Sequence, residues 1–215
     1  MRPSRRVAVK RLPKRASYDT SVIHAILDEG VVCHVGFDVD HQVYVIPMAY
    51  ARVGDRLLLH GSKKSRLMRA LSAGRDVCVT VTLLDGLVLA RSVFHHSMNY
   101  RSVCLFGRSR RVAGAKARDA ALLALVEHLV PGRSADARGP SAKELAATEL
   151  VEVTLDEASA KIRSGPPVDD KEDLDLPFWA GVVPARLTWG PPVPALTLGP
   201  ARAVPTYVLE YTRGS

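Results

Sequence analysis

The amino-acid sequence predicts a mainly β chain with some α (α+β): a six-stranded antiparallel split β-barrel with peripheral helices. Three observations lead there. Short runs alternate apolar and polar residues and are joined by short polar turns, the pattern of antiparallel hairpins. Helical patterns occur at intervals and do not alternate regularly with the strands, so the rhythm of a parallel βαβ sheet is missing. No G-x-G-x-x-G is present, which argues against a dinucleotide-binding doubly wound fold. Short half-buried strands of this kind favour a small barrel over an open parallel sheet.

The elements follow in chain order. DTSVIHAILDE (19–29) is a helix: Val22, Ile23, Ile26 and Leu27 share one face, Asp19 or Thr20 caps the start, and Gly30 ends it. VVCHVGF (31–37) is a strand, and DVDHQ (38–42) is turn material. VYVIPMAYA (43–51) is a second strand, with Pro47 demanding a free edge or a bulge because proline has no ladder donor. After the turn at 53–55, RLLLHG (56–61) is a third strand. SKKSRLMRALSAG is a helix with Leu67, Met68 and Leu71 on one face, Ser62 at its start and Gly74 at its stop. DVCVTVTLL and LVLARSVF read as two strands joined by an Asp85-Gly86 turn, and YRSVCLFGRSRRV as the next strand. Residues 115–130 form a helix, Ser141 and Glu144 form a capping box, and ELVEVTL (149–155) returns to strand. Beyond that the chain is rich in Pro, Gly and acids, the composition of an extended segment. The expected organisation is a basic arm (1–18), a barrel domain (19–155) and a Pro/Gly-rich extension (156–215) packing on the barrel or dimer.

Composition narrows the function. With 47% apolar and 24% charged residues, the 215-residue chain has an ordinary globular balance. No apolar run is long enough for a membrane span, and the basic start lacks the apolar stretch of a secretory signal, so a cytoplasmic protein is expected. The net charge is +8, but much of the excess lies in the first fifteen residues, and no nucleic-acid-binding motif accompanies it. The arm therefore reads as a solvated or partner-clasping extension. Cys33, Cys78 and Cys104 are far apart in sequence and show no C-x-x-C spacing, so they read as buried free thiols. No metal site is expected: His95 and His96 are adjacent, and on a strand adjacent side chains point to opposite faces.

Two stretches invite chemistry. In LLLHGSKKSRL (57–67) a strand delivers His60 to its end and Gly61 allows close backbone approach. Ser62, Ser65, Lys63, Lys64 and Arg66 then surround a helix start, which reads either as a phosphate cradle or as a plain capped surface helix. Tyr100, Arg101 and Ser102 open a strand where a flat ligand and its phosphate can be met, or where solvated rim residues simply sit.

CHVGF (33–37), the 44–66 run ending LLLHGSKKSR, VCVTVTLLDGLVLARSVFHHSMNYRSVCLFG (77–107) and SAKIRSGPPVDDKEDLDLPFWAGVVP (159–184) together resemble the pyridoxamine 5'-phosphate oxidase-like superfamily of flavin-binding split barrels. The branch most resembled holds flavin-nucleotide-binding and nitroimidazole-resistance proteins. The resemblance implies a homodimer with FMN in clefts at its interface, F420 and haem being the alternative cofactors. It places Val45, Ile46, Pro47, Met48 and Ala49 beside the isoalloxazine ring, and His60, Gly61 and Ser62 along the ring edge and ribityl chain. Ser65 and Arg66 fall at the phosphate, with Lys63 or Lys64 standing in for the cation that Leu67 does not supply, and Tyr100, Arg101 and Ser102 fall on the closing strand. His60 is the expected catalytic residue, and His95, His96 and Trp179 are substrate-side candidates. The implied activity is that of a flavin-dependent oxidoreductase acting on a small molecule. The alternative is a carrier or sensor that binds the cofactor without catalysis. Two departures matter: Leu67 stands where relatives commonly carry Lys, and the C-terminal end lacks the Arg- and Trp-rich signature that grips pyridoxamine phosphate, so vitamin B6 phosphate is not the expected substrate.

Overall fold

All strand pairings among the described residues are antiparallel and belong to one ten-stranded sheet. The computed structural model describes residues 4–199 and 202–213. The strands are β1 (Ala16–Ser17), β2 (Val32–Val39), β3 (Gln42–Val53), β4 (Arg56–Ser62), β5 (Asp76–Leu89), β6 (Ser97–Arg108), β7 (Arg110–Arg111), β8 (Thr148–Thr154), β9 (Glu157–Arg163) and β10 (Gly181–Pro184). Their order is β1-β9-β6-β5-β2-β3-β4-β8-β7, with β10 added to β5. The α+β class is as expected, but the strand count rises from six to ten and the path of strands does not close on itself.

The split falls within β3. Its residues 42–49 pair with β2, and residues 50–53 pair with β4. Pro47, opposite His34 of β2, therefore lies on a stretch with a single ladder, which is where a residue without an N–H donor is tolerated. Asp40 and His41 both adopt positive φ, forming the tight turn between β2 and β3.

Alternating side chains fill the interior. Val35 and Phe37 of β2, Leu57 and Leu59 of β4, Val77, Val79 and Val81 of β5, and Val103 and Leu105 of β6 are buried together. Helix α1 (Thr20–Glu29), capped by Asp19, adds Ile23, Ile26 and Leu27, and α2 (Arg66–Ser72) adds Leu67, Met68 and Leu71. A second cluster lies on the other face of β3, β4 and β8, where Ala51, Leu58 and Leu150 meet Ala121 and Leu125 of α3 (Ala115–Leu129). Between α3 and β8, α4 (Ala142–Ala147) starts with the expected capping box at Ser141 and Glu144.

Several expectations change. Asp85 and Gly86 do not form a turn. β5 runs through them as one strand, with a bulge between Leu84 and Gly86. A Cβ on Gly86 would lie 2.9 Å from the Val183 carbonyl oxygen and 3.3 Å from Pro184 Cα, so the glycine admits the close approach of β10. The α2 cap is Ser65, not Ser62. The boundary at 155 also moves, because β9 pairs with seven consecutive residues of β6 inside the sheet. The later segment does pack back on the barrel. β10 extends β5, and Arg213 donates to the terminal carbonyls of Asp28 and Glu29 in α1 and of His128 in α3. The basic arm is partly docked as well: Val7 is buried and Arg6 pairs with Glu157 at 3.2 Å. Of the cysteines, Cys33 is buried as expected, but Cys78 and Cys104 are half-buried, with their sulfurs 3.6 Å apart across β5 and β6. A separation of 26 residues hides that contact from any reading of local spacing. No described helix is long and apolar enough to cross a membrane.

Candidate cofactor site

The β3–β4–α2 junction collects the first group of predicted residues. β4 is buried at Leu57, Leu58 and Leu59 and opens at His60, because there it leaves the core and turns toward α2. His60 is half-buried, and its Nδ1 is enclosed without a hydrogen-bond partner. Burial holds this imidazole below its ordinary range, so it is neutral near pH 7. Gly61 packs on Met68, where a Cβ would come within 2.9 Å of the Met68 Cγ. Ser62 accepts from the Lys64 N–H at 3.2 Å, and Ser65 accepts from the Met68 N–H at 3.1 Å. Lys63 and Lys64 are exposed and enter no salt bridge among the described residues. The Arg66 guanidinium lies 4.7 Å from the Tyr44 ring centre, which ties the start of α2 to β3. Leu67 is buried in the core, which explains why this position carries no cation. Beside this junction β3 presents Val43, Val45 and Ile46 to the outside, with Val45 60% exposed. Such an apolar strip along a free strand edge is a surface for a flat ring or a second chain.

Tyr100, Arg101 and Ser102 lie elsewhere. Strands β5, β2 and β3 lie between β6 and β4 in the order of the sheet, so this triplet and His60 are not on neighbouring strands. Ser102 donates to the Lys161 carbonyl at 3.2 Å, and Tyr100 is half-buried opposite Arg163. Arg101 is gripped by two carboxylates: its Nη2 donates to Asp85 at 2.7 Å and to Glu29 at 2.8 Å, while Nη1 donates to Glu29 and Nε to Asp85. Asp85, then Glu29, push this guanidinium further toward its charged form. The β5 bulge supplies the geometry, since the extra residue it inserts is Asp85, beside Arg101 on the neighbouring strand. Arg101 is an expected cofactor contact; within this chain its cation is matched by two carboxylates while its side chain stays 32% exposed. This triad borders a cavity of about 760 Å³, walled by Val31, Leu83 and Leu84 of the barrel and by Arg186, Leu187 and Trp189 of the C-terminal segment.

The sequence model of the family described as pyridoxamine 5'-phosphate oxidase matches residues 19–162. The chain belongs to this family. Among curated proteins no match was found. The chain is 40% identical to the flavocytochrome Anf3 from Azotobacter vinelandii, with a TM-score of 0.93 and 99% of each chain covered. It is 37% identical to the FAD and haem binding protein from Mycobacterium smegmatis, with a TM-score of 0.87, covering 90% of this chain and 95% of the other. A Bacteroides thetaiotaomicron protein, whose name connects it with 5-nitroimidazole antibiotic resistance, shares the fold at 23% identity. Its TM-score is 0.58, with 68% of this chain and 86% of that chain covered.

For a member of the pyridoxamine 5'-phosphate oxidase family, the remaining expected residues fall in informative places. His95 and His96 are not on a strand: Val93–His95 is a turn of 3₁₀ helix whose start is capped by Ser92. His95 Nε2 meets Asp170 at 2.9 Å, and His96 Nδ1 meets the Ser92 carbonyl at 3.0 Å. Trp179 is exposed and folds over Gly181. None of these three residues lines the cavity beside Arg101. The sequence reading missed Glu29, Asp85, Trp189 and Arg213, all of which border that cavity. Their only local signal was the Asp-Gly pair, and it was read as a turn.

Proposed function

We propose that this protein is a redox protein that binds a flavin and a haem and passes electrons between them and a small-molecule partner. The observation carrying this reading is the match over nearly the whole chain to a flavocytochrome and to an FAD and haem binding protein, at 40% and 37% identity. The local chemistry supports it. A flavin carries a flat ring and a phosphate, and the β3–β4–α2 junction offers an exposed apolar strip next to Lys63, Lys64 and Arg66. His60, neutral and half-buried at the end of β4, suits either a hydrogen bond to the flavin ring or a bond to haem iron. When bound, the flavin and haem supply the redox chemistry; the chain supplies position, a fixed protonation state at His60 and shielding from water. The flavin is proposed to be FAD, with FMN and F420 as the outcomes that would replace it.

A homodimer completes the reading. β3 leaves Val43 and Val45 exposed along a stretch with one ladder, and Tyr100 to Ser102 sit three strands away from His60. A second copy could bring the two regions together. Three free cysteines suit a reducing compartment such as the cytoplasm.

The test is the visible spectrum of the purified protein, with chemical identification of the released flavin and a pyridine haemochrome assay. Flavin and haem bands together are expected. A protein that holds neither after reconstitution refutes the proposal, and flavin without haem reduces it to a flavoprotein. Replacing His60 by Ala then assigns the histidine: selective haem loss marks an iron ligand, whereas an altered flavin spectrum with haem retained marks a ring contact.

A further inference from the structure

Cys78 and Cys104 lie on neighbouring antiparallel strands. Cys78 is opposite Phe106 and Cys104 opposite Thr80, so the two are diagonal neighbours on one face of the sheet. Their flanking residues Val77, Val79, Val103 and Leu105 point into the core, which fixes both thiols on the outer face. The sulfurs are 3.6 Å apart, in van der Waals contact, and both residues are half-buried rather than sealed. The docked arm brings Arg6 over the Phe106 ring, at 5.4 Å from its centre, on the same face. The Cys104 thiol, hydrogen-bonded to Cys78, and then the Arg6 charge hold the Cys78 thiol below its ordinary range. Cys33 is the internal contrast: burial pushes its thiol up to about 12.

We infer that Cys78 and Cys104 form a dithiol site that hydroperoxides convert to an intrachain disulfide, with Cys78 as the attacking sulfur and Cys104 as the resolving one. The Cys78 thiolate attacks the outer peroxide oxygen, the O–O bond breaks, and hydroxide leaves and takes up a proton as water, giving a Cys78 sulfenic acid. Cys104 sulfur then attacks the Cys78 sulfur. The S–O bond breaks, and the oxygen departs as a second water carrying the Cys104 proton. The dithiol loses two electrons and the peroxide gains them. The inference rests on the two sulfurs and not on any cofactor, so it stands or falls apart from the proposed function.

The test treats the protein as isolated with stoichiometric hydrogen peroxide, then alkylates, digests and analyses it by mass spectrometry. A reducible Cys78–Cys104 cross-linked peptide is expected, about 2 Da lighter than the two free peptides, with Cys33 remaining a thiol. In Cys104→Ser, Cys78 should stop at a sulfenic acid trapped by dimedone; in Cys78→Ser, Cys104 should stay a thiol. Circular dichroism confirms that the variants fold. Three outcomes overturn the site: both cysteines still alkylated after peroxide, Cys78 over-oxidised to sulfinic acid with no cross-link in the wild type, or a disulfide joining two chains.

Discussion

Replacing Arg101 with Ala removes the cation that Glu29 and Asp85 share. The side chains of Arg101, Glu29 and Asp85 are 32%, 24% and 33% exposed, so the cluster is mostly covered but still touches solvent. An exposed ion pair contributes at most about 1 kcal/mol. Removing one partner of a fully buried pair costs about 3–5 kcal/mol, because a charge is left without compensation. The intermediate burial places the expected loss at about 2 kcal/mol, or a fall in Tm of about 4–8 °C for a chain of this size. Most of that loss comes from two carboxylates left facing each other. Adding Asp85→Asn to Arg101→Ala should therefore recover part of the stability, while Asp85→Asn alone should cost less than Arg101→Ala. The assay is thermal and urea unfolding of the three variants, with and without added flavin. An Arg101→Ala variant that melts within 1 °C of wild type would refute the structural reading of Arg101. So would a double variant no more stable than Arg101→Ala. A loss seen only in the presence of flavin would return Arg101 to the cofactor.

Arg66→Ala should weaken flavin binding by about tenfold or more, the effect of losing one charge-assisted contact to phosphate; fluorescence titration measures it, and unchanged affinity removes Arg66 from the site. Gly86→Val should drive β10 off β5, because even a Cβ there meets the Val183 backbone; faster proteolysis between residues 163 and 190 with the barrel intact is the expected signature. His60 and His128 are both held below their ordinary range by burial. The unfolded chain therefore binds their protons first, and stability should fall as the pH drops below about 6.5. His60→Gln should flatten that slope in urea titrations at pH 7 and pH 5.5, and an unchanged slope would count against the buried neutral state. Val45→Lys, on the exposed edge of β3, should shift the protein toward monomer by light scattering if that edge joins two copies.

How legible each part was depended on how far apart its interacting residues lie in the chain. The Asp19 cap of α1 and the Ser141–Glu144 box at α4 involve residues at most three positions apart, and both formed as read. The strand carrying His60 and the helix after it were also clear, because a short apolar run gives way to helical spacing over a few residues. Asp85-Gly86 shows the opposite case. The pair has the composition of a hairpin turn, but what governs it is β10 arriving from a hundred residues downstream, and local composition cannot encode that. The same holds for Arg101 with Glu29, for Cys78 with Cys104, and for Arg213 closing on α1 and α3. Strand geometry would put His95 and His96 on opposite faces, but Ser92 accepts from the Phe94 N–H and starts a 3₁₀ turn there instead.

The family match ends at residue 162, yet the cavity beside Arg101 takes one wall from Arg186, Leu187 and Trp189. Its barrel wall lies within the matched region, at Val31, Leu83 and Leu84. The joint between the two is the β5 bulge. One inserted residue places Asp85 beside Arg101, and the missing Cβ at Gly86 lets β10 dock and carry the rest of the segment over the opening. Arg213 and the Tyr211 hydroxyl, which donates to the Leu129 carbonyl at 2.6 Å, pin the far end of that segment to the ends of α1 and α3. The barrel thus sets the floor of the cavity, and the C-terminal segment sets its roof. Changes at Leu187 or Trp189 should alter what the cavity accepts with little cost to the barrel, because neither residue belongs to the buried core. Changes at Leu83 act on both, since Leu83 also packs against that core. The segment can therefore vary in sequence while the fold is held by the sheet.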